Sequence, residues 1–230
     1  MDKSGSAGAP ITVEATNLWG ATLDGQNVNG SDGYLSTVYI TGDYNVMRGF
    51  RIKNGYYAGV QLYSWAGGGS YNQILQDDVY SNGCVANNTQ GSGQDGIFDD
   101  QGTCDNSYID NYVHGNGRIS LVSSLDHGLY LCGTNNEVVI NNLIVGNCAW
   151  GIQVASYNTI SNMEIYNNTI VSNLNRGGII LWEANPGTGI YGADIANNII
   201  YGNADPGIVE DYLTNGADIS LRACLKNHER

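Results

Sequence analysis

Acidic side chains, one histidine and one tyrosine cluster in the middle of the chain, around two successive short segments that each begin with glycine. The set comprises Asp95, Asp99, Asp100, Asp126, His127 and Tyr130. These residue types suit proton transfer, because histidine or tyrosine can exchange a proton with a substrate while carboxylates hold a hard cation. We predict catalytic roles for four of them, namely His127, Tyr130, Asp100 and Asp126. The ligands of a Ca²⁺ ion would be Asp95, Asp99, Asp100 and Asp126.

A second group of side chains on the same strands would bind a ligand without reacting with it. Alternate residues of a strand point to opposite faces, so the residue after each inward apolar position points outward. The residues predicted to contact a substrate are Gln61, Tyr63, Phe98, Gln153, Arg176 and Trp182. Their rings would stack on a ligand ring and their amides would contact hydroxyl groups. The apolar outward residues Ile180 and Val209 suit self-association equally well.

Asp99 poses a physical problem for this arrangement. Ile97 is predicted to point inward, so Asp99, two residues further along the strand, would also point inward. An ionised carboxylate in a narrow apolar interior is costly. We therefore expect either that the strand ends by Phe98 or that Asp99 meets a hydrogen-bonding partner.

An internal repeat positions these residues. Five segments place an apolar residue, a polar residue, a second apolar residue and an asparagine at the same spacing. The apolar columns are Ile74, Tyr108, Val139, Ile165 and Ile195, and Val79, Val113, Ile144, Ile170 and Ile200. The polar columns are Asp77, Asn111, Asn142, Asn168 and Asn198, and Asn82, Asn116, Asn147, Asn173 and Asn203.

A Gly-led strand follows each repeat segment. Strands this short cannot bury a face alone, so each needs the coil above and below it. Stacking at about 4.8 Å puts equivalent residues in register, with Ile and Val inside. Asn and Gly then turn the chain at the corners, because they tolerate positive φ. The sequence therefore predicts an all-β solenoid, a parallel β-helix of about six to eight coils.

Two segments carry a resemblance to a known family. Residues 140–147 (INNLIVGN) and 165–173 (IYNNTIVSN), each followed by a Gly-Ile-x-aliphatic strand, resemble the repeat of right-handed parallel β-helix proteins of the pectate-lyase-like superfamily. The resemblance extends over residues 38–210. It implies a polysaccharide partner and an extracellular location, and the superfamily includes lyases, hydrolases, epimerases and non-catalytic binders.

Charge and composition exclude two classes of partner. The 230 residues include 22 Asp and Glu but only nine Lys and Arg, giving a formal net charge of −13. This surface repels nucleic-acid phosphates. No apolar run is long enough to span a membrane, and no secretion signal opens the chain. The five cysteines form no C-x-x-C pair, which is typical of unpaired thiols rather than of a zinc site.

Two long insertions leave the same corner on neighbouring coils. They comprise residues 83–95 and 117–127, whereas the other coils turn this corner by a short route. Loops on a rigid scaffold often carry function, so the insertions predict a wall beside the Gly-led sheet. The alternative is growth without function, because longer surface loops cost little stability.

The chain divides into three parts in this interpretation. Residues 1–43 form an N-terminal coil or cap, which we expect to be shortened relative to exported relatives. Residues 44–212 form the parallel β-helix. Residues 213–230 form a C-terminal cap or a disordered tail, and residues 218–226 would make a short capping helix.

The favoured function is lysis of a uronate polymer by β-elimination, assisted by Ca²⁺ at the aspartates. One alternative is a non-catalytic carbohydrate-binding or orphan, truncated β-helix that forms homo-oligomers through a sheet face. A lesser alternative is a glycoside hydrolase, because Asp99-Asp100 and His127-Gly128 look like polygalacturonase motifs. The Asn-Thr-Asp motif that should precede them on the same sheet is missing from this sequence.

Overall fold

The protein is built from short strands that stack in parallel into three long sheets, as in a right-handed parallel β-helix. The computed structural model describes residues 1–29, 35–64, 67–85, 93–119, 123–205, 207–211 and 219–222. The described residues are all-β, and none of them belongs to a helix long and apolar enough to cross a membrane. The predicted fold class is therefore confirmed.

The three sheets share one order of strands along the solenoid. Sheet A contains β1 (Ile11–Glu14), β4 (Asn45–Arg48), β7 (Gln73–Leu75), β10 (Ser107–Ile109), β13 (Val138–Ile140), β17 (Glu164–Tyr166), β21 (Ala193–Ala196) and β24 (Ile219–Arg222). Sheet B contains β2 (Thr22–Asp24), β5 (Arg51–Lys53), β8 (Asp78–Tyr80), β11 (Tyr112–His114), β14 (Leu143–Val145), β18 (Thr169–Val171) and β22 (Ile199–Tyr201). Sheet C contains β3 (Val38–Ile40), β6 (Ala58–Leu62), β9 (Asp95–Asp99), β12 (Leu129–Cys132), β15 (Ile152–Ala155), β19 (Ile179–Trp182) and β23 (Ile208–Asp211). A small fourth sheet pairs β16 (Ile160–Ser161) with β20 (Ile190–Tyr191).

The apolar columns predicted from the repeat fill the interior. In sheet B, for example, Val113 pairs in register with Ile144, and Ile144 pairs with Ile170. All three side chains are fully buried. Each buried aliphatic side chain of this size contributes about 1.5–3 kcal/mol. The burial of one such side chain per strand is what holds strands of three or four residues together.

The corner between sheets A and B is a two-residue turn whose first residue has a left-handed backbone. Asn141, Asn167 and Asn197 adopt φ values of 57–59° there, and asparagine tolerates this region better than most residues. The second residue of each turn points inward. The backbone N–H and Nδ2 of Asn142 both donate to Oδ1 of Asn168, at 2.9 and 3.0 Å. The polar column therefore forms a row of stacked amides along the solenoid.

The glycine that precedes each strand of sheet C marks a close approach between coils. A Cβ atom on Gly128 would lie 2.6 Å from the carbonyl oxygen of Gly151 and 2.9 Å from Nδ2 of Asn147. Any larger residue would push the coils apart. The glycine that begins each strand of sheet C in the sequence is therefore what allows this sheet to pack against the second asparagine row.

The C-terminal segment differs from its prediction. Ile219–Arg222 is strand β24, which pairs with β21, so the predicted helix over residues 218–226 is wrong for these four residues. Leu221 occupies the register position of Ile195, and this apolar match extends sheet A by one coil. Residues 212–218 and 223–230 lie outside the described part of the chain.

Candidate functional site

The outward column predicted on sheet C lies in register over successive coils. Gln61 pairs with Phe98, Phe98 with Tyr130, and Tyr130 with Gln153. These side chains point away from the interior core, yet each is only 5–7 % exposed. The rings of Phe98 and Tyr130 cover one another by stacking, with centroids 5.3 Å apart. The column is therefore the floor of a surface rather than a row of projecting contacts.

Half-buried rings stand along both sides of this floor. Tyr57 meets Phe98 edge-on, with ring centroids 5.7 Å apart. Trp182 meets Tyr157 edge-on at 6.0 Å. These rings pack on the floor residues as a second apolar cluster, separate from the interior core. Sheet C thus presents an aromatic strip that spans several coils.

A shallow groove opens at one side of the strip, just after strands β6 and β9. It has a volume of about 310 Å³ and is lined by Tyr63, Ser64, Asp100 and Gln101. Asp100 accepts a hydrogen bond from the backbone N–H of Gln101 at 2.7 Å. Partial burial raises the pKa of Asp100 above its usual value. Two predicted residues, Tyr63 and Asp100, therefore meet in one open site.

His127 and Tyr130 come together, but beneath the surface. Their rings meet edge-on at 5.4 Å, and His127 is only 1 % exposed. Nδ1 of His127 accepts the backbone N–H of Trp150 at 3.3 Å. Burial lowers the pKa of His127 to about 3, so the imidazole is neutral at physiological pH. The catalytic roles of the two residues stay a prediction, and the structure gives His127 a main-chain partner.

Asp126 is held by an arginine from its own insertion. Arg118 donates through Nε and Nη2 to the two carboxylate oxygens of Asp126, at 2.8 and 2.6 Å. Burial alone would raise the pKa of Asp126, but the hydrogen bonds from Arg118 outweigh it and lower the pKa. Gln94 adds a backbone N–H at 3.1 Å. The ion pair with Arg118 stays within one insertion, and the hydrogen bond from Gln94 joins the two insertions where they leave the solenoid.

The four aspartates predicted to bind Ca²⁺ do not form one site. Asp95 accepts the backbone N–H of His127 at 2.8 Å, and burial raises its pKa well above the usual value. Asp99 points into the interior, Asp126 is paired with Arg118, and Asp100 lines the groove. Nowhere in the described ranges do three His, Cys, Asp or Glu side chains gather as a metal site requires. The predicted donor set therefore does not fit the ion.

Asp99 ends strand β9 and meets partners inside the solenoid, as one branch of the prediction required. The hydroxyl groups of Thr103 and Tyr108 donate to it, and Nδ2 of Asn106 donates at 3.1 Å. Glu137 lies in the same buried cluster. Burial raises the pKa of both carboxyl groups, and the charge of Asp99 raises that of Glu137 further. Asn106 and Glu137 both stand two residues before the first apolar column, so the repeat places them at equivalent positions on successive coils. The sequence could therefore have indicated this cluster.

Arg176 lies near the end of the strip, where it forms a half-exposed ion pair. Its Nη1 atom is 3.4 Å from Oδ2 of Asp205. Both side chains are about two-fifths exposed, so the pair contributes little stability. Arg176 therefore remains accessible to a ligand at the far end of sheet C.

A polar cluster that sequence reasoning missed lies on the outer face of sheet B. His114 and Arg51 both contact the carboxylate of Asp78, at 3.0 and 3.4 Å. The rings of Tyr80 and Tyr112 stack on His114. The repeat could have indicated this cluster, because its residues flank the inward positions of sheet B on successive coils. Our prediction considered outward positions on sheet C alone.

The three parallel sheets and the stacked corner rows define the class of fold, a right-handed parallel β-helix. Among solved structures, the chain is similar to the periplasmic alginate epimerase AlgG, with 13 % identity and a TM-score of 0.60. That match covers 82 % of this chain and 42 % of the epimerase chain. It is also similar to pectate lyase Pel9A, with 16 % identity and a TM-score of 0.53, covering 100 % of this chain and 64 % of that one.

These similarities extend to the fold alone. No family model matches the sequence, and no curated protein matches it. The chain spans less than two thirds of the length of either solved structure. The resemblance found in the repeat is therefore confirmed for the architecture.

Proposed function

We propose that the protein binds an extended polysaccharide along the outer face of sheet C. The observation that carries the proposal is the continuous strip of rings and amides, which runs over several coils and opens into the groove at Asp100. Successive coils repeat at about 4.8 Å, so a polymer lying along the solenoid axis meets similar side chains at regular intervals. Two structural neighbours, named as an alginate epimerase and a pectate lyase, lend support to a polysaccharide ligand.

The chemistry of the strip suits sugars. Half-buried rings such as Tyr157 and Trp182 offer apolar area that costs little entropy to order. Gln61 and Gln153 place amides at two ends of the ring column, where they can contact hydroxyl groups. One structural neighbour is named as periplasmic, which supports our further proposal of an extracellular or periplasmic location.

Replacing Trp182 by Ala should weaken polysaccharide binding. The ring is half-buried and packs edge-on against Tyr157, so its removal deletes stacking area and loosens the strip. We expect the dissociation constant to rise up to about tenfold, because loss of a stacking contact costs roughly 0.5–1.5 kcal/mol. Affinity electrophoresis in gels containing pectate, alginate or neutral glucans would measure the change.

Tyr201→Ala is the matched control. Tyr201 is an exposed aromatic residue on β22 of sheet B and contributes nothing to the strip on sheet C. Retardation should persist in this variant. If both variants lost retardation equally, or if no polysaccharide retarded the unmodified protein, the proposed function would be contradicted.

The second candidate function is lysis of a uronate polymer at the groove. It is favoured by Asp100, the predicted catalytic carboxylate that lines an open site and whose pKa is raised by burial. A raised pKa brings a carboxylate nearer to the range in which it exchanges protons at neutral pH. Any Ca²⁺ assistance would have to come from an ion carried by the substrate, since the predicted aspartates do not gather around one.

An Asp100→Asn variant should abolish lysis if this candidate is correct. The amide keeps the shape of the side chain and its position beside Gln101 but cannot exchange a proton at neutral pH. Unsaturated uronate ends should accumulate with the unmodified protein, and their absorbance should rise at least a hundredfold more slowly with the variant. A Ser64→Ala variant, which alters the same groove, should retain most of the rate. Equal rates for Asp100→Asn and the unmodified protein would reject the assignment.

A further inference from the structure

We infer that the outer face of sheet B carries a second ligand site, which binds the carboxylate group of an acidic sugar. The site is separate from the strip on sheet C and does not depend on the function proposed there. Strands β5, β8 and β11 build it from two rows in register. One row contains Arg51, Asp78 and Tyr112, and the other contains Lys53, Tyr80 and His114.

Asp78 joins two outward-facing groups. Its Oδ1 atom lies 3.0 Å from Nε2 of His114, and its Oδ2 atom lies 3.4 Å from Nε of Arg51. The side chain of Asp78 is only 10 % exposed, whereas Arg51 is 48 % and His114 is 29 % exposed. The carboxylate therefore lies beneath the two groups and orients both of them toward solvent.

Two tyrosine rings hold the imidazole of His114. Tyr80 stacks on His114 with centroids 5.3 Å apart, and Tyr112 stacks on it at 4.0 Å. The rings are nearly parallel, at 8° and 19°, so they fix the plane of the imidazole and present ring edges outward. A carboxylate on Nε2 favours the tautomer with the proton on Nε2, which leaves Nδ1 as an acceptor. Among the described residues, none hydrogen-bonds to Nδ1.

The class of ligand follows from the groups that Arg51 and His114 present to solvent. The terminal nitrogens of Arg51 donate no hydrogen bond to any described residue. In a guanidinium group, the spacing of these nitrogens matches the two oxygens of a carboxylate. Nδ1 of His114 would accept a hydroxyl proton beside it. A ligand with a carboxylate and neighbouring hydroxyl groups on one ring fits both groups, and a uronate residue has that structure. A neutral sugar would offer no carboxylate to the terminal nitrogens of Arg51.

The charge of the protein sharpens this assignment. A formal net charge of −13 repels a polyanion from most of the surface. Two aspartates on this face lie beside basic side chains. Asp78 contacts Arg51 and His114, and Asp24 lies 3.2 Å from Lys53. The local balance is near neutral, so an acidic sugar can approach here without the repulsion that the rest of the surface exerts.

The test uses the full chain and the sodium salt of trigalacturonate, with cellotriose as the neutral probe. The imidazole resonances of His114 should shift with trigalacturonate and stay unchanged with cellotriose. Arg51→Gln should raise the dissociation constant read from that shift about tenfold, because a charge-assisted pair is lost. Arg222→Gln is the matched control: Arg222 pairs with Asp194 at the far end of sheet A, and its loss removes the same charge.

The outcomes separate this site from the strip on sheet C. A Trp182→Ala variant that loses polymer binding but keeps the His114 shift would support two sites. If trigalacturonate left the His114 resonances unmoved while polymer binding still depended on Trp182, the sheet B site would be overturned and the sheet C function would stand. Equal effects of Arg51→Gln and Arg222→Gln would also overturn it. A His114 shift that survives without any binding to sheet C would uphold the site and reject the proposed function.

Discussion

Truncating Asn142 to Ala should destabilise the solenoid by about 3–5 kcal/mol. Its side-chain oxygen accepts the backbone N–H and Nδ2 of Asn111, and its Nδ2 donates to Tyr108 O and to Oδ1 of Asn168. All these groups are buried, so the truncation leaves several donors and acceptors without partners or water. Each such group costs about 1–3 kcal/mol. Urea denaturation followed by circular dichroism would measure the loss.

Asn141→Ala is the control for this prediction. Asn141 is the neighbouring residue of the same turn, is exposed, and has φ of 59°. Its replacement sacrifices only the preference of asparagine for the left-handed region, about 0.5–1 kcal/mol. If Asn142→Ala cost no more than Asn141→Ala, the stacked amides would contribute only turn geometry, and the stabilising role of the row would be refuted.

The inner half of this fold could be read from the sequence because one physical requirement sets it. Every strand must place an aliphatic side chain inside and an asparagine at the corner, so Val139 and Ile165 repeat with Asn142 and Asn168 at fixed spacing. The left-handed residue is the one before each of these asparagines, at Asn141 and Asn167. Stacking then imposes the same choice on each coil. Periodicity of this kind survives large loop insertions, since the insertions leave at the corners.

The site could be predicted only in part, because side chains from outside the repeat decide what is exposed. Alternation correctly put Phe98 and Tyr130 outward, but the rings of Tyr57 and Tyr157 rise beside them from corner segments. Asp126 was predicted to act on a ligand, yet Arg118, eight residues earlier in the same insertion, holds it. No spacing rule relates two residues within an irregular insertion, so this pairing needed coordinates.

The cluster on sheet B shows a different reason for a missed site. Asp78 and His114 lie on neighbouring strands in positions that the repeat pattern treats as variable. The repeat predicts which residues face inward, and it leaves the outward positions unconstrained. Once the register is known, however, the contact between Asp78 and His114 follows from adjacency across one coil.

Replacing Asp77 by Asn should stabilise the protein by about 2–4 kcal/mol near pH 8. Asp77 stands in the row that otherwise contains Asn111, Asn142, Asn168 and Asn198. Its Oδ1 accepts the backbone N–H of Phe50 at 2.7 Å, but no described residue hydrogen-bonds to its buried Oδ2. In the next coil, the equivalent Nδ2 of Asn111 donates to Ile74 O and to Oδ1 of Asn142. An amide at position 77 would supply the two donors that the carboxylate lacks.

The gain should shrink as the pH falls, and the sign follows from proton binding. Burial raises the pKa of Asp77 from 3.8 to about 7, so the folded state binds more protons than the unfolded state between these values. Stability therefore falls as the pH rises from about 4 to about 7, and the penalty is complete above that range. The amide of the Asp77→Asn variant carries no such penalty, so the difference in urea midpoint between the variant and the unmodified protein should be large near pH 8 and small near pH 4.5.

Asp110→Asn, at an exposed aspartate in the corresponding turn of the next coil, should show almost no difference at either pH. A gain from Asp77→Asn that is independent of pH would mean that the carboxyl group at position 77 is not the source of the penalty.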